Sequence, residues 1–223
     1  MGLSSAQGLG AAAMSTTQVW TALTFALMLL MWWIMMLGMM IPSAAPMILL
    51  FGRMQRQQLA DDSPYVRTAQ FAGGYLLVWA MFSAVATAAQ WALSRTELWA
   101  GMSMRVATSV AATILLVGGL YQLTPLKRVC LKHCRSPVEF LALHWRKGAA
   151  GAWRMGVEHG AFCVGCCWLL MALLFVGGVM NLAWVAALAV LVLAEKLSPR
   201  GELLAAVAGF SMLGFSLALF TVA

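Results

Sequence analysis

Charged residues are scarce in this chain. Lys, Arg, Asp and Glu together make up 9% of its 223 residues, whereas a soluble domain carries about 25%. The hydrophobic share is 63% and the mean hydropathy is +0.87. So few charged side chains do not suffice for a water-facing surface. The composition therefore excludes an ordinary soluble enzyme and a disordered chain, and it indicates an integral membrane protein.

Acidic residues are the scarcer charged type, with 7 Asp and Glu against 14 Lys and Arg. The basic residues lie between apolar runs and form no groove-sized patch, so we expect no nucleic-acid partner. The sequence also has no phosphate-binding loop, nucleophile elbow or zinc-protease motif. A hydrolase or a nucleotide-driven pump is therefore not expected, and enzymatic activity in general is not favoured.

Six apolar runs approach the roughly 20 residues that a membrane-spanning helix needs. They cover about 18–41, 68–93, 104–123, 156–176, 179–194 and 203–221, and the first can extend unevenly to residue 51. Gly177, Gly178 and Asn181 favour a hairpin turn within the long uncharged stretch that follows His159. We predict an all-α, polytopic membrane helix bundle of about six transmembrane helices, forming one domain over residues 18–223.

The basic residues predict the orientation of this bundle. All of the 14 Lys and Arg residues except Arg95 and Arg105 fall on one side of the predicted spans. The positive-inside rule places that side, with loop 124–155, in the cytoplasm. Residues 1–17 are then expected to form an external tail, with both termini on the periplasmic or outer side of the membrane. Within the loop, residues 136–147 are expected to form an interfacial amphipathic helix on the lipid bilayer.

A cysteine-rich motif at the cytoplasmic start of the fourth run is the strongest chemical signal. At helical spacing, His159, Cys163 and Cys166 share one stripe, with Cys167 at its margin. Gly160 and Gly165 would let another helix approach closely. Thiolate and imidazole ligands suit Cu(I) or zinc. Packing by small apolar cysteines is the alternative, and the number of candidate ligands favours a metal.

A second pair, Cys130 and Cys134, lies in the basic loop at i and i+4, so one helical turn would present both thiols together. These two residues are predicted to close the site around the first cysteine group, because all five cysteines lie at the same end of the bundle. Incidental cysteines are an equal alternative. Cytoplasmic thiols stay reduced, which argues against structural disulfides.

Methionines are concentrated in the first run, which also contains Pro42 and Pro46. Met36 and Met40 fall near one helical face and are predicted to form a relay position for Cu(I), since thioethers are soft neutral ligands. For most of the other methionines, gap filling is the preferred interpretation. The two prolines predict either a break that acts as a hinge or the end of the helix.

Four other polar residues are less informative. Glu158 is either a further ligand or a solvated residue. Glu195 and Lys196 are expected to end the fifth helix at the lipid headgroups, although Glu195 could instead pair with the basic loop. His144 is expected to be a surface residue of the amphipathic segment.

Several short motifs follow one another between about Met31 and Gly201. They are Met-Met-Leu-Gly-Met-Met-Ile-Pro-Ser from Met35, Gly74-Tyr75 with Trp79, Tyr121-Gln-Leu-Thr-Pro-Leu-Lys-x-x-Cys130, Cys134-Arg-Ser-Pro137, His159-Gly to Cys167-Trp168, Met180-Asn181 with Trp184, and Glu195-Lys196 with Pro199. In this order they resemble the bacterial predicted metal-binding integral membrane proteins, a family of unknown function sometimes labelled copper chaperone. The resemblance implies a polytopic metal-binding membrane protein and supplies no mechanism.

These observations lead to one principal hypothesis and two alternatives. The principal one is a membrane protein that binds a soft metal, with Cu(I) preferred to zinc, and delivers it to a membrane or periplasmic partner such as a cuproenzyme or a larger membrane complex. The first alternative is a structural or assembly subunit of such a complex, with Cys and Met used for packing. The second is a thiol-based membrane redox protein.

Overall fold

The computed structural model describes residues 20–58, 64–96, 99–100 and 105–222. The predicted tail 1–17 lies outside them. The helices are α1 (Ala22–Gln58), α2 (Pro64–Leu93), α3 (Thr108–Gln122), α4 (Pro125–Arg135), α5 (Pro137–His144), α6 (Gly148–Ala172), α7 (Leu174–Gly177), α8 (Leu182–Leu197) and α9 (Gly201–Val222). Within the described residues the only strands are β1 (Trp99–Ala100) and β2 (Arg105–Val106), which pair antiparallel. The predicted all-α class is confirmed.

Four helical segments are long and apolar enough to cross a membrane. They are Ala22–Gln57, Tyr65–Leu93, Gly148–Gly177 and Gly201–Thr221. Helices α3 and α4 meet at a bend of 68° and would make a fifth span if they act together. All six predicted apolar runs contain a helix, but α8 has only 16 residues. At about 1.5 Å per residue it reaches about 24 Å, less than a bilayer core of about 30 Å.

Helix α1 shows why these segments fit a bilayer, because both of its faces are apolar. Leu23, Leu27, Leu30 and Ile34 form an exposed stripe, which lipid can cover. The opposite stripe is buried in the protein and carries large side chains, namely Trp32, Met36, Met40, Met47 and Phe51. The spacing of three and four residues thus separates a lipid-facing side from a core-facing side.

The prolines of α1 do not break it, and the predicted hinge or helix end at Pro42 and Pro46 is wrong. The helix continues through both residues to Gln58. In the same segment the Met40 carbonyl accepts hydrogen bonds from Ser43 Oγ at 2.9 Å and from Tyr75 OH at 3.3 Å, and the second of these ties α1 to α2. Proline within an apolar helix is tolerated where the surrounding protein supports the local backbone.

Helix α6 approaches its neighbours through small residues, as the sequence predicted. A Cβ atom at Gly160 would lie 3.0 Å from Val78 Cβ on α2, and one at Gly165 would lie 3.0 Å from Cys130 Sγ on α4. The predicted hairpin after α6 is also present. Gly178 has a φ of 92°, and the Asn181 side chain accepts a hydrogen bond from Trp184 N at the start of α8. The two glycines bring α2 and α4 close to α6, and the turn leads the chain from α6 through α7 into α8.

Candidate functional site: a buried sulfur cluster

Helix α6 supplies three buried thiols within about one turn. Cys163, Cys166 and Cys167 are each at most 2% exposed. The Cys166 and Cys167 thiols both donate to the Cys163 carbonyl, at 3.1 and 3.0 Å. The helical spacing that the sequence displays therefore gathers three sulfur atoms within about one turn of α6.

Helix α4 adds a fourth sulfur next to these three thiols. Its N-terminus is fixed by Thr124, whose Oγ1 accepts a hydrogen bond from Lys127 N, and by Pro125 in the first turn. Cys134 Sγ then lies 3.8 Å from Cys166 Sγ. Cys130, one turn earlier, lies against Gly165. The structure thus brings Cys134 directly to the α6 thiols and places Cys130 beside the same helix.

Helix α1 contributes a thioether next to the α6 thiols. Met40 Sδ lies 3.9 Å from Cys167 Sγ, and the Met40 side chain is fully buried. Tyr75 on α2 connects the two helices, because its hydroxyl lies 3.2 Å from Cys163 Sγ and also donates to the Met40 carbonyl. We call Met40, Cys134, Cys163, Cys166 and Cys167 the sulfur cluster.

A lysine stands at the centre of the cluster, and sequence reasoning missed it. Lys196 Nζ lies 2.9 Å from Cys163 Sγ and 3.2 Å from Ser43 Oγ, and Lys196 is only 5% exposed. The expectation that Lys196 reaches the lipid headgroups is wrong, because the last turn of α8 packs against α1 and α6. Tyr75 and Ser43 were also missed as neighbours of the thiols. The available signal was the occurrence of all three within the motifs of the family resemblance.

An ion pair anchors the segment that carries Cys134. Lys127 Nζ lies 2.7 Å from Glu195 Oε2, and Gln122 Nε2 donates to the other carboxylate oxygen at 2.9 Å. Lys127 and Glu195 are each 1% exposed. Of the two alternatives for Glu195, pairing with the basic loop is confirmed. The pair ties α4 to α8 next to Lys196.

His159 lies one turn before Cys163 on α6, in an aromatic environment. Its ring stacks on Phe71 and Tyr75, with centroids 6.1 and 5.7 Å away, and meets the edge of Phe140 at 5.4 Å. It is 2% exposed, and Nδ1 has no hydrogen-bond partner within the described part of the chain. His159 therefore adjoins the sulfur cluster through Tyr75, and its role as a ligand stays a prediction.

The remaining candidate residues are Glu158, His144 and Met36. Glu158 pairs with Arg146 at 3.0 Å and with Arg154 at 3.5 Å near the surface. His144 stacks on Phe140 of α5 at 4.6 Å. Met36 is fully buried in the same apolar core as the cluster.

Two sulfur separations in the cluster are compatible with shared metal coordination. Two sulfur atoms bound to one tetrahedral ion at about 2.3 Å lie about 3.8 Å apart, which matches both the Cys134–Cys166 and the Met40–Cys167 separations. The same distances are also ordinary contact distances. Within the described residues, no three His, Cys, Asp or Glu side chains are arranged to hold one ion. The arrangement therefore offers pairs of soft ligands around Cys163.

Fold and cluster together define a helical protein with four membrane-length helices and a buried group of soft ligands. Residues 29–219 match the family described as copper chaperone, and the chain belongs to that family. The resemblance inferred from the motifs is thereby confirmed. No curated protein and no solved structure matches the chain.

Proposed function

We propose that this protein binds Cu(I) as cargo at the sulfur cluster and delivers it to a protein partner. The observation that carries the proposal is that a Cys–Cys pair and a Met–Cys pair meet at the adjacent α6 residues Cys166 and Cys167. Soft thiolate and thioether ligands select Cu(I). The family description, copper chaperone, supports the same metal.

The Met40 thioether favours copper over zinc. Zinc prefers four tetrahedral nitrogen or sulfur ligands and has no need of thioethers. A zinc site would use the cysteines, with His159 as a further candidate, and would leave the Met40 thioether beside Cys167 without a role in binding. The electrostatics also favour a monovalent ion, because Lys196 already places one positive charge beside Cys163.

The proposal also includes the orientation of the protein in the membrane and the protein that receives the ion. The basic side of the chain faces the cytoplasm of a bacterial inner membrane, where thiols stay reduced. From there the ion passes to a membrane or periplasmic protein such as a cuproenzyme. Ligand exchange between sulfur atoms suffices for this transfer, so no covalent chemistry on a substrate is needed.

Metal binding by purified protein tests the proposal. The full chain in detergent, kept reduced, is titrated with Cu(I) against a chromogenic Cu(I) chelator. We expect the parent protein to retain copper, and Cys134→Ser and Cys166→Ser to lose it to a similar degree. The double variant should lose little more, since ligands of one ion act non-additively. X-ray absorption should show sulfur around the bound copper.

Two results would overturn this function. One is a folded parent protein that takes up no Cu(I), which would favour a structural subunit whose sulfur atoms serve packing. The other is a folded Cys134→Ser/Cys166→Ser variant that binds copper as the parent does. Monodisperse elution and a parental circular dichroism spectrum serve as the controls for folding.

A thiol–disulfide function is the second candidate, because the 3.8 Å separation places Cys134 and Cys166 within reach of each other. Brief oxidation with diamide, followed by alkylation and mass spectrometry, tests it. Reversible formation of this one disulfide, in a protein that does not bind copper, would favour the redox function.

A further inference from the structure

Helices α1 and α6 run antiparallel, and two contacts define their register. Met40 Sδ lies 3.9 Å from Cys167 Sγ. Eight residues before Met40, the Trp32 ring lies 5.1 Å from the ring of Phe175, which is eight residues after Cys167 on the short continuation α7. Each helix therefore advances by the same number of residues between the two contacts.

Two further methionines lie midway between these two contacts. Four residues from each end, Met36 lies on α1 and Met171 on α6. Because residues four apart lie one above the other on a helix face, this register places Met36 and Met171 at the same level of the two helices. Four residues correspond to about 6 Å along the axis, so this level is one turn away from the sulfur cluster.

The burial of both methionine side chains supports this placement inside the core. Met36 and Met171 are both 0% exposed and belong to the same core as Met40 and Cys167. Beyond the two methionines, a hydrogen bond holds the Trp32 ring in place, because Trp32 Nε1 donates to Gln90 Oε1 at 2.7 Å. Along the two helices, Met36 and Met171 thus lie between the Trp32–Phe175 ring pair and the Met40–Cys167 contact.

From this register we infer that Met36 and Met171 form a second site for a soft monovalent cation, Cu(I), made of thioether ligands only. The inference rests on the proposed function and adds an ion position away from the cysteines. Thioethers are neutral and soft, so the pair can accept Cu(I) deep in the apolar core without releasing a proton.

The two positions differ in how they balance the charge of the ion. At the methionine pair the positive charge is uncompensated, whereas thiolates at the sulfur cluster neutralise it. A buried uncompensated charge is costly, so the methionine pair binds more weakly than the cluster. This difference in affinity makes Met36 and Met171 a transfer position from which an ion moves on to Cys167 and Met40.

Nuclear magnetic resonance of the methionine methyl groups tests the inference. The full chain, labelled with ¹³C at the methionine ε-methyl groups, is titrated in detergent with Ag(I), which is soft and monovalent like Cu(I) but is not oxidised in air. Met36→Leu and Met171→Leu assign the two signals and conserve apolar volume. Met81 and Met180 are 63% and 60% exposed and serve as matched controls.

We expect the Met40 signal to shift with the first Ag(I) and the Met36 and Met171 signals to shift together at higher Ag(I). Met171→Leu should abolish the Met36 shift and lower the Ag(I) stoichiometry by one ion, whereas Met81→Leu should do neither. If the cluster binds Ag(I) while the Met36 and Met171 signals stay fixed, or shift independently, the second site is wrong and the proposed function stands. If no signal responds and no thiol is protected from alkylation, the proposed function itself fails.

Discussion

The Lys196 ammonium lies 2.9 Å from the Cys163 sulfur, and both side chains are buried. A buried ammonium is costly unless an opposite charge accompanies it. A Cys163 thiolate would provide that charge, and it is also the form in which a cysteine binds metal. The lysine thus occupies the place next to Cys163 where a cationic cargo would arrive.

A double-mutant cycle measures whether this contact is an ion pair. We expect Lys196→Met and Cys163→Ala each to lower the free energy of unfolding in detergent, and the combined variant to lose less than the sum. A coupling of about 2 kcal/mol is expected, within the range of about 0.5–3 kcal/mol for contacting residues. Strict additivity would mean that the ammonium and the thiol are not charge-paired, and Lys196→Arg is the control that keeps the charge.

The ion pair between Lys127 and Glu195 provides a second test of stability. Glu195→Gln leaves the Lys127 ammonium buried without its counter-charge, which costs about 3–5 kcal/mol for buried pairs. The exposed pair Lys132–Glu139, at 3.7 Å with side chains 64% and 52% exposed, is the matched control. Glu139→Gln should cost at most about 1 kcal/mol, as measured by thermal unfolding in detergent.

Replacing both members of the buried pair completes that test. Lys127→Met with Glu195→Met removes both charges, and such replacements are often neutral or stabilising. The double variant should therefore unfold at a higher temperature than Glu195→Gln. Equal destabilisation of the two would show that the ion pair is not the source of the effect.

The sequence predicts the helices of this chain well because bilayer thickness and helical rise set the length of an apolar run. It also predicts that Cys163 and Cys166 share a face, since that follows from 3.6 residues per turn. The rule that proline ends or breaks a helix fails at Pro42 and Pro46, because α1 continues through both residues. In the same segment Ser43 and Tyr75 donate hydrogen bonds to the Met40 carbonyl.

The contacts of the cluster with Lys196 and Tyr75 were beyond sequence reasoning. Lys196 and Cys163 are 33 positions apart, and Tyr75 and Cys163 are 88 apart. Periodicity describes one helix at a time and carries no information on which helices meet. A charged residue in an apolar chain has two favourable locations, the headgroups or a buried partner, and only the packing of α8 against α1 and α6 distinguishes them.

The Met40 thioether gives a direct test of its role as a ligand. Met40→Leu conserves apolar volume and should leave the fold intact. It should weaken Cu(I) binding about tenfold, equivalent to about 1.4 kcal/mol, in competition with a Cu(I) chelator. Met81→Leu, at an exposed position on α2, should bind as the parent does. If Met40→Leu binds copper like the parent, Met40 is a packing residue and zinc bound by the cysteines and His159 becomes the better hypothesis.

The orientation of the bundle can be tested by labelling single cysteines from outside the cell. In the predicted topology all of the Lys and Arg residues except Arg95 and Arg105 lie on one side of the spans, so the positive-inside rule predicts that α4 and α5 face the cytoplasm. In a variant with its five cysteines replaced, Thr96→Cys should react with an impermeant maleimide on intact cells. Glu139→Cys, on α5, should react only after permeabilisation, and neither change alters the count of basic residues. Reaction of Glu139→Cys on intact cells would reverse the orientation and would place the sulfur cluster at the oxidising face of the membrane, where a disulfide between Cys134 and Cys166 becomes the expected state.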